Sequence, residues 1–260
     1  METSTRDHLA FLREKVFQTD TKWPQFELLL DDLVALADGL AAGSTVVSLE
    51  RTLLYGGISL TAPVFGGQNF ISVDCSPPSA DEHGAYNDWM TDDARCIRIP
   101  YSRRGSPTAT GLDDASADLV IVPNLVHHVR DQDGFFAEMA RILGPGGSLY
   151  IFEPLVRELH QKPDDFVRYT PWGVEAMCER VGLAVEEVRD RGGPFEAISY
   201  CWTQALEYMP EDERAPWKEW FYGKHLQELL EMDRRYPTNL VRKHTSFPMT
   251  WSVRARRNAA

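Results

Sequence analysis

Residues 117–153 read ADLVIVPNLVHHVRDQDGFFAEMARILGPGGSLYIFE, and this stretch decides the fold. Two short apolar runs, 117–122 and 148–153, predict buried strands because β-branched and aromatic residues dominate them. Between them, the spacing of Phe136, Met139 and Ala140 predicts a helix over 133–143. Gly146-Gly147 then permits a tight turn into the second strand. A strand, helix and strand of this kind indicate a parallel sheet covered on both faces.

The same alternation continues on both sides of this stretch. Further strands are predicted at 45–50, 69–74, 96–100 and 183–188, of which 96–100 is the weakest run. Helices are predicted at 4–17, from Trp23-Pro24 to about Ala42, and at 171–181. For the helix that begins near Trp23-Pro24, Asp20 and Thr21 indicate the start and Gly43 indicates the end. The fold class is therefore α/β, with a doubly wound and mostly parallel sheet.

Three regions follow from this pattern. Residues 1–42 form an N-terminal helical cap, residues 43–192 form the α/β core, and residues 193–260 form a helical, aromatic C-terminal extension or lid. A chain of 260 residues can bury a core of this size without a disulfide or a metal to stabilise it.

Composition excludes several classes of function. The 27 basic and 39 acidic residues give a net charge of −12, which disfavours general nucleic-acid binding. The four cysteines show no C-x-x-C spacing and do not cluster with histidines, so no zinc site is predicted. The N-terminus lacks the apolar segment of a signal peptide, and no apolar run approaches the roughly 20 residues of a membrane span. We therefore expect a location in the reducing cytoplasm and no membrane partner.

The order of motifs resembles the class I S-adenosylmethionine-dependent methyltransferases, most closely their type 11 small-molecule branch. The matching features are Asp118-Leu119-Val120, the histidines that follow, the turn from Arg141 to Gly147, and Arg168-Tyr169-Thr170-Pro171. The resemblance covers roughly residues 43–190. It implies about seven strands with the last antiparallel, and S-adenosylmethionine as cofactor. It also implies methyl transfer to a small-molecule or sugar-like acceptor, which can be anionic, without a metal.

The resemblance also assigns candidate binding residues. Asp74 ends the second strand of the core, where the family's acid binds the ribose hydroxyls, and the amides of Cys75 and Ser76 lie beside it. Asn124 follows the strand at 117–122, where the family's residues face the methionine part of the cofactor and the substrate. His127 and His128 are candidates for a general base because the imidazole pKa lies near neutrality. Structural packing of these two histidines is the favoured interpretation.

The glycine-rich loop that the family carries after its first strand is missing. Glu50, Arg51 and Thr52 stand where glycines are expected, and Gly56-Gly57 come several residues later. In one interpretation, Gly56 and Gly57 form a shifted cofactor loop and Glu50 holds the cofactor's amino group. In the other, the chain has lost methyl transfer and acts as a binding or partner subunit, or binds another ligand in the same cleft.

A second departure follows the strand at 96–100. The family's acid for the adenine is replaced there by Arg103 and Arg104, which cannot accept hydrogen bonds. These arginines can bind an anion or form an exposed basic loop. Asp113 and Asp114 can substitute for the missing acid.

Overall fold

Seven strands form one twisted sheet in the computed structural model, which describes residues 3–17, 24–77 and 93–258. In chain order these strands are β1 (Thr45–Glu50), β3 (Asn69–Asp74), β5 (Arg103–Arg104), β6 (Ala117–Pro123), β7 (Leu143–Pro154), β8 (Leu183–Arg191) and β9 (Thr250–Arg257). They lie side by side in the order β5-β3-β1-β6-β7-β9-β8. Strand β9 is antiparallel to both of its neighbours, whereas the other described pairings within this sheet are parallel. The predicted seven-stranded, mostly parallel sheet is confirmed.

Alternate residues of the central strands enter two cores on opposite faces of the sheet. Val46 of β1 and Leu119 of β6 pack against α2 (Glu27–Gly39) on one face. Val47 and Val120 pack on the other face, against α3 (Gln132–Ile142) and α4 (Pro171–Arg180). Because both faces are covered, these strands appear in the sequence as continuous apolar runs.

The N-terminal cap lies on the α2 side of the sheet. Helix α1 (Thr3–Phe11) continues as one π-helical segment to Val16, and a 3-10 turn at Pro24–Phe26 leads into α2. The predicted helix over 4–17 is confirmed. Helix α2 ends at Gly39, earlier than the predicted end near Ala42, because residues 41–43 form a turn. The predicted start signal at Asp20, Thr21 and Trp23 lies outside the described residues.

The prediction of a core strand at 96–100 was wrong. Only Ile99–Pro100 (β4) is extended, and it pairs antiparallel with β2 (Ile58–Ser59) outside the main sheet. The edge of the main sheet is instead taken by β5, which pairs with the end of β3. Both β4 residues are exposed, so this segment lacks the burial that makes a core strand recognisable.

A helical insertion separates β8 from β9. It comprises α5 (Pro194–Leu206), α6 (Glu211–Trp220), a π-helical turn at Phe221–His225 and α7 (Leu226–Arg235). The region 193–260 therefore divides between this insertion and a strand of the central sheet, with Trp251 fully buried in the core. Among the described helices, none is long and apolar enough to cross a membrane.

Candidate functional site

Two cavities adjoin the carboxyl ends of the central strands. The larger has a volume of about 910 Å³ and is bordered by residues that follow β1, β3, β5 and β6. The smaller, of about 170 Å³, lies between these strand ends and the N-terminal cap, whose Phe17 and Phe26 line it. Arg51 and His128 line both cavities. The chain reverses its winding direction between β1 and β6, and ligands of open α/β sheets bind at such a switch point.

Asp74 lies at the end of β3 with a fully buried side chain. Its Oδ1 accepts hydrogen bonds from Thr52 N (2.9 Å), Thr52 Oγ1 (2.8 Å) and Ser76 Oγ (2.7 Å). Within the described part of the chain, its Oδ2 has no hydrogen-bond partner and lies 3.6 Å from Arg104 Nε. One carboxylate oxygen thus fixes the loop after β1, while the other remains without a hydrogen bond beside Cys75 and Ser76, which line the larger cavity.

The carboxylate of Glu50 binds the segment that follows it. Ser59 Oγ (2.7 Å) and Thr61 Oγ1 (2.6 Å) donate to Oε1, and Leu60 N (3.2 Å) donates to Oε2. Burial raises the pKa of Glu50, although these hydrogen bonds act in the opposite direction. Three of its hydrogen bonds are therefore structural, and its predicted contact with a ligand amino group stays a prediction.

Gly56 and Gly57 do not line either of the two cavities. They follow a 3-10 turn at Thr52–Tyr55 and have φ angles of 67° and 77°, which side-chain-bearing residues rarely adopt. Their positive φ angles turn the chain toward β2. The structure therefore does not bring these glycines to the cleft, and their predicted contact with the cofactor has no geometric support.

Arg51 takes the place of the missing glycines at the strand end. Its side chain is largely buried, and its guanidinium donates a hydrogen bond to Gln161. Its Nε has no hydrogen-bond partner in residues 3–17, 24–77 and 93–258. Arg51 borders both cavities, so a positively charged side chain occupies a position at which the family has glycine without a side chain. This position can bind a carboxylate or phosphate group through paired N–H donors.

Asn124 and His128 border the smaller cavity, as predicted for residues after β6. Asn124 has a φ of 59°, and its Oδ1 is buried without a hydrogen-bond partner in the described structure. Burial, with the nearby His127 and Arg51, lowers the pKa of His128 to about 2. A neutral imidazole with so low a pKa is a poor general base, which agrees with the favoured packing interpretation.

His127 is almost completely buried and does not line either cavity. Its Nδ1 lies 2.5 Å from Glu153 Oε2, and Glu153 Oε1 also accepts from Val126 N at 2.7 Å. The structure thereby ties the turn after β6 to the end of β7. Because His127 borders neither of these two cavities, its predicted role as a base gains no support.

Sequence reasoning missed His160, which lies in the loop after β7 and packs against both other histidines. The ring centroids are 5.2 Å apart for His127 and His160 and 4.9 Å apart for His128 and His160. The sequence feature that could have identified His160 is its position after a predicted strand. The segments that follow β6 and β7 leave neighbouring parallel strands, so their residues meet at one edge of the sheet although they are far apart in sequence.

Comparisons with known proteins agree with this geometry. Residues 56–151 match the family described as "Methyltransferase domain". A dimethylglycine N-methyltransferase from Parasynechococcus marenigrum (strain WH8102) is 28% identical over 176 residues, 59% of this chain. The matched part is 56% of that relative, so the chain spans little more than half of its length.

Solved structures share the fold at low sequence identity. A candidate sarcosine dimethylglycine methyltransferase from Galdieria sulphuraria superposes with a TM-score of 0.55 at 16% identity, over 95% of this chain and 88% of the other. The 4+2 cyclase SpnF superposes with a TM-score of 0.54 at 16% identity, over 93% of this chain and 84% of the cyclase chain. These similarities concern the fold alone, because one fold supports different chemistries.

Proposed function

We propose that the chain is a class I S-adenosylmethionine-dependent methyltransferase and that it transfers a methyl group to a small molecule carrying an anionic group. The observation that carries this proposal is the pair of cavities that meet at Arg51 and His128, at the switch point of the sheet. The larger suits a nucleoside, and the smaller, next to the cap, suits a small acceptor. We place this activity in the reducing cytoplasm, in keeping with the four free cysteines.

The residues of the larger cavity fit S-adenosylmethionine in part. The unpaired Oδ2 of Asp74 can accept a ribose hydroxyl if the Arg104 side chain, which is half exposed, moves aside. The amides at Cys75 and Ser76 adjoin it, and Arg51 is positioned for the carboxylate of the methionine part. When bound, the cofactor supplies an electrophilic methyl group on its sulfonium. The chain's own contribution is to hold two reactants in line, which by itself lowers the barrier.

The smaller cavity supports the choice of an anionic acceptor. Its walls combine apolar residues of the cap with the buried Arg51 and the partly buried Arg157, whose Nε lies 3.5 Å from Glu158 Oε1. With Arg51 assigned to the cofactor carboxylate, Arg157 is the donor for a carboxylate or phosphate of the acceptor. The matched relative named above acts, by its name, on dimethylglycine, which carries such a group.

A second candidate function is binding of another ligand in the same cleft without methyl transfer. Its support is the internal use of Asp74 Oδ1 by Thr52 and Ser76, together with the Glu50 hydrogen bonds. Side chains thus occupy the places that glycines leave open in the family. The first experiment separates the two functions.

We expect the purified full chain to bind S-adenosylhomocysteine in isothermal titration calorimetry, and Arg51→Met to weaken that binding about 10- to 150-fold. The factor corresponds to the roughly 1.5–3 kcal/mol of a hydrogen bond to a charged group. Arg98→Met, an exposed site outside both cavities, is the matched control and should bind as the wild type does.

Methyl transfer itself is measured with a radiolabelled donor and a panel of small carboxylates and phosphates. Transfer to any of them, lost in Arg51→Met, supports the proposal. A folded protein that binds neither S-adenosylmethionine nor S-adenosylhomocysteine, with or without the acceptor panel, rules it out in favour of the second candidate.

A further inference from the structure

Three histidines converge between the turn after β6 and the loop after β7. A ring nitrogen of each of His127, His128 and His160 lies within 4.8 Å of one from each of the others. The closest pair of rings, His127 and His128, has centroids 3.9 Å apart. Like polar groups do not attract one another without a shared partner, so this convergence calls for a ligand that all three can bind.

The Nδ1 atom of each ring is already bound to an oxygen acceptor. His127 Nδ1 donates to Glu153 Oε2 (2.5 Å), His128 Nδ1 to the Asp164 carbonyl, and His160 Nδ1 to the Glu158 carbonyl (3.2 Å). Carbonyl oxygens, and the Glu153 carboxylate when it is ionised, only accept, so a neutral imidazole at each of these positions carries its proton on Nδ1 and its lone pair on Nε2. This pattern is the one that fixes metal-binding histidines in proteins.

The Nε2 atom of His127 is an independent indication of a ligand. It is buried without a hydrogen-bond partner among the residues that the structure describes, on a side chain that is only 1% exposed. A buried lone pair without a partner is costly, since it has lost water and gained nothing in exchange. A bound cation would satisfy it.

We propose that the Nε2 atoms of His127, His128 and His160 bind a divalent late first-row transition ion, with Zn²⁺ as the reference case. Imidazole suits these ions, and three protein ligands leave a fourth position open, as in catalytic zinc sites. Ligand nitrogens of tetrahedral zinc lie about 3.3 Å apart at the usual bond length of about 2.0–2.1 Å. Side-chain rotation therefore has to draw the rings closer as the ion binds.

The surrounding charge selects the fourth ligand. Arg51 and Arg157 add positive charge beside the three histidines and the divalent ion; Glu158 Oε1 lies 3.5 Å from Arg157 Nε, and Glu50, which also lines this cavity, is bound by Ser59, Leu60 and Thr61. The Arg51 charge therefore favours an anionic oxygen or sulfur at the open position. His128 and His160 line the smaller cavity, which we have assigned to the acceptor. The assignment of this open position to the acceptor rests on the proposed function, whereas the metal site itself does not.

The test is a cobalt titration of the full chain, freed of any histidine tag and treated with chelator, followed by the visible absorption of bound Co²⁺. We expect one equivalent to bind, and the native metal content to be about one ion per chain by mass spectrometry. His160→Gln should weaken binding by more than the roughly 10- to 100-fold typical of losing a supporting hydrogen bond. Glu153→Gln disturbs such a hydrogen bond and should weaken Co²⁺ binding by a factor within that range.

His244→Gln is the matched control, because His244 is exposed and lies outside the cluster. It should bind Co²⁺ as the wild type does. Circular dichroism establishes that each variant is folded. Absence of stoichiometric Co²⁺ and Zn²⁺ binding to the folded wild type, or binding that His160→Gln and His128→Gln both leave unchanged, overturns the proposal.

The metal-binding test and the methyl-transfer test can each fail without the other. Metal binding is measured without S-adenosylmethionine, and binding of S-adenosylhomocysteine is measured on the metal-free chain. A chain that binds Co²⁺ at the three histidines but no nucleoside retains the metal site and loses the proposed function. A chain that binds the nucleoside but no metal retains the proposed function and loses the metal site.

Discussion

Thr52 shows how a single side chain rebuilds the loop after β1. It stands where glycine is expected, is fully buried, and donates through both its backbone N–H and its hydroxyl to Asp74 Oδ1. A strand-end acid that the family uses for a ligand thus also organises the protein's own loop. The absence of the glycine motif is visible in the sequence, but its replacement by a hydrogen-bonded pair is not.

Replacing Thr52 with valine should destabilise the protein by about 1–3 kcal/mol. The change keeps the shape but removes a hydroxyl donor to a buried carboxylate, which leaves that carboxylate less satisfied. Urea unfolding measures the free energy. Thr238→Val, at an exposed site, should change it by no more than about 0.5 kcal/mol. An equal effect of both substitutions would show that the Asp74 contact contributes nothing specific.

At the scale of elements, apolar strands in the middle of the sheet were predictable and the short edge strand was not. The predicted bounds of β1 and β3 match the structure because parallel central strands are buried on both faces. Strand β5 is only two residues long, and both are arginine. Its position depends on pairing with β3, which no local pattern encodes. The three-histidine cluster escaped prediction for the same reason, since loops bring it together.

Two acids position the helical insertion: Asp233 connects α7 to the start of α5, and Glu196 connects α5 to the N-terminal cap. Asp233 of α7 accepts hydrogen bonds from the backbone N–H groups of Phe195 (3.1 Å) and Glu196 (2.6 Å) at the start of α5. Glu196 is itself buried and accepts from Gln25 N of the cap (3.2 Å). Burial first, and the charge of Asp233 second, raise the pKa of Glu196 to about 7.

This pKa makes the docking of the insertion sensitive to pH. The folded protein holds the Glu196 proton more tightly than the unfolded chain, where the pKa is 4.5. The resulting stabilisation, of up to about 3 kcal/mol, is fully present below pH 4.5 and is lost as the pH rises through 7.

Glu196→Gln should therefore be more stable than the wild type at pH 8, by about 1–3 kcal/mol, and nearly equal to it at pH 5. Thermal unfolding at both pH values gives the comparison. Glu213→Gln, on the exposed surface of α6, serves as the control, and its effect on stability should be the same at the two pH values. A stability gain for Glu196→Gln that does not grow with pH would contradict the titration argument.

Across the whole molecule, Asp32 of α2 connects the N-terminal cap to the far half of the sheet. Its buried carboxylate accepts from Tyr150 Oη of β7 (2.9 Å) and Ser252 Oγ of β9 (2.7 Å), and it pairs with Arg189 of β8. The hydroxyl and guanidinium donors come from three strands, so the cap and the sheet share one polar anchor. Since the cap also walls the smaller cavity, this anchor fixes the geometry of the proposed acceptor site.

Asp32→Ala should lower the stability of the whole protein by about 3 kcal/mol, because it leaves two buried hydroxyl groups without an acceptor. Adding Tyr150→Phe removes one of those stranded donors, so the double variant should be more stable than the two separate losses predict, by about 0.5–3 kcal/mol. Urea unfolding followed by both fluorescence and circular dichroism should show one coincident transition that moves to lower urea. Two separated transitions in Asp32→Ala would mean that the cap unfolds independently. In that case the acceptor site would be built on a detachable cap, and small-molecule binding at the smaller cavity should disappear before the sheet unfolds.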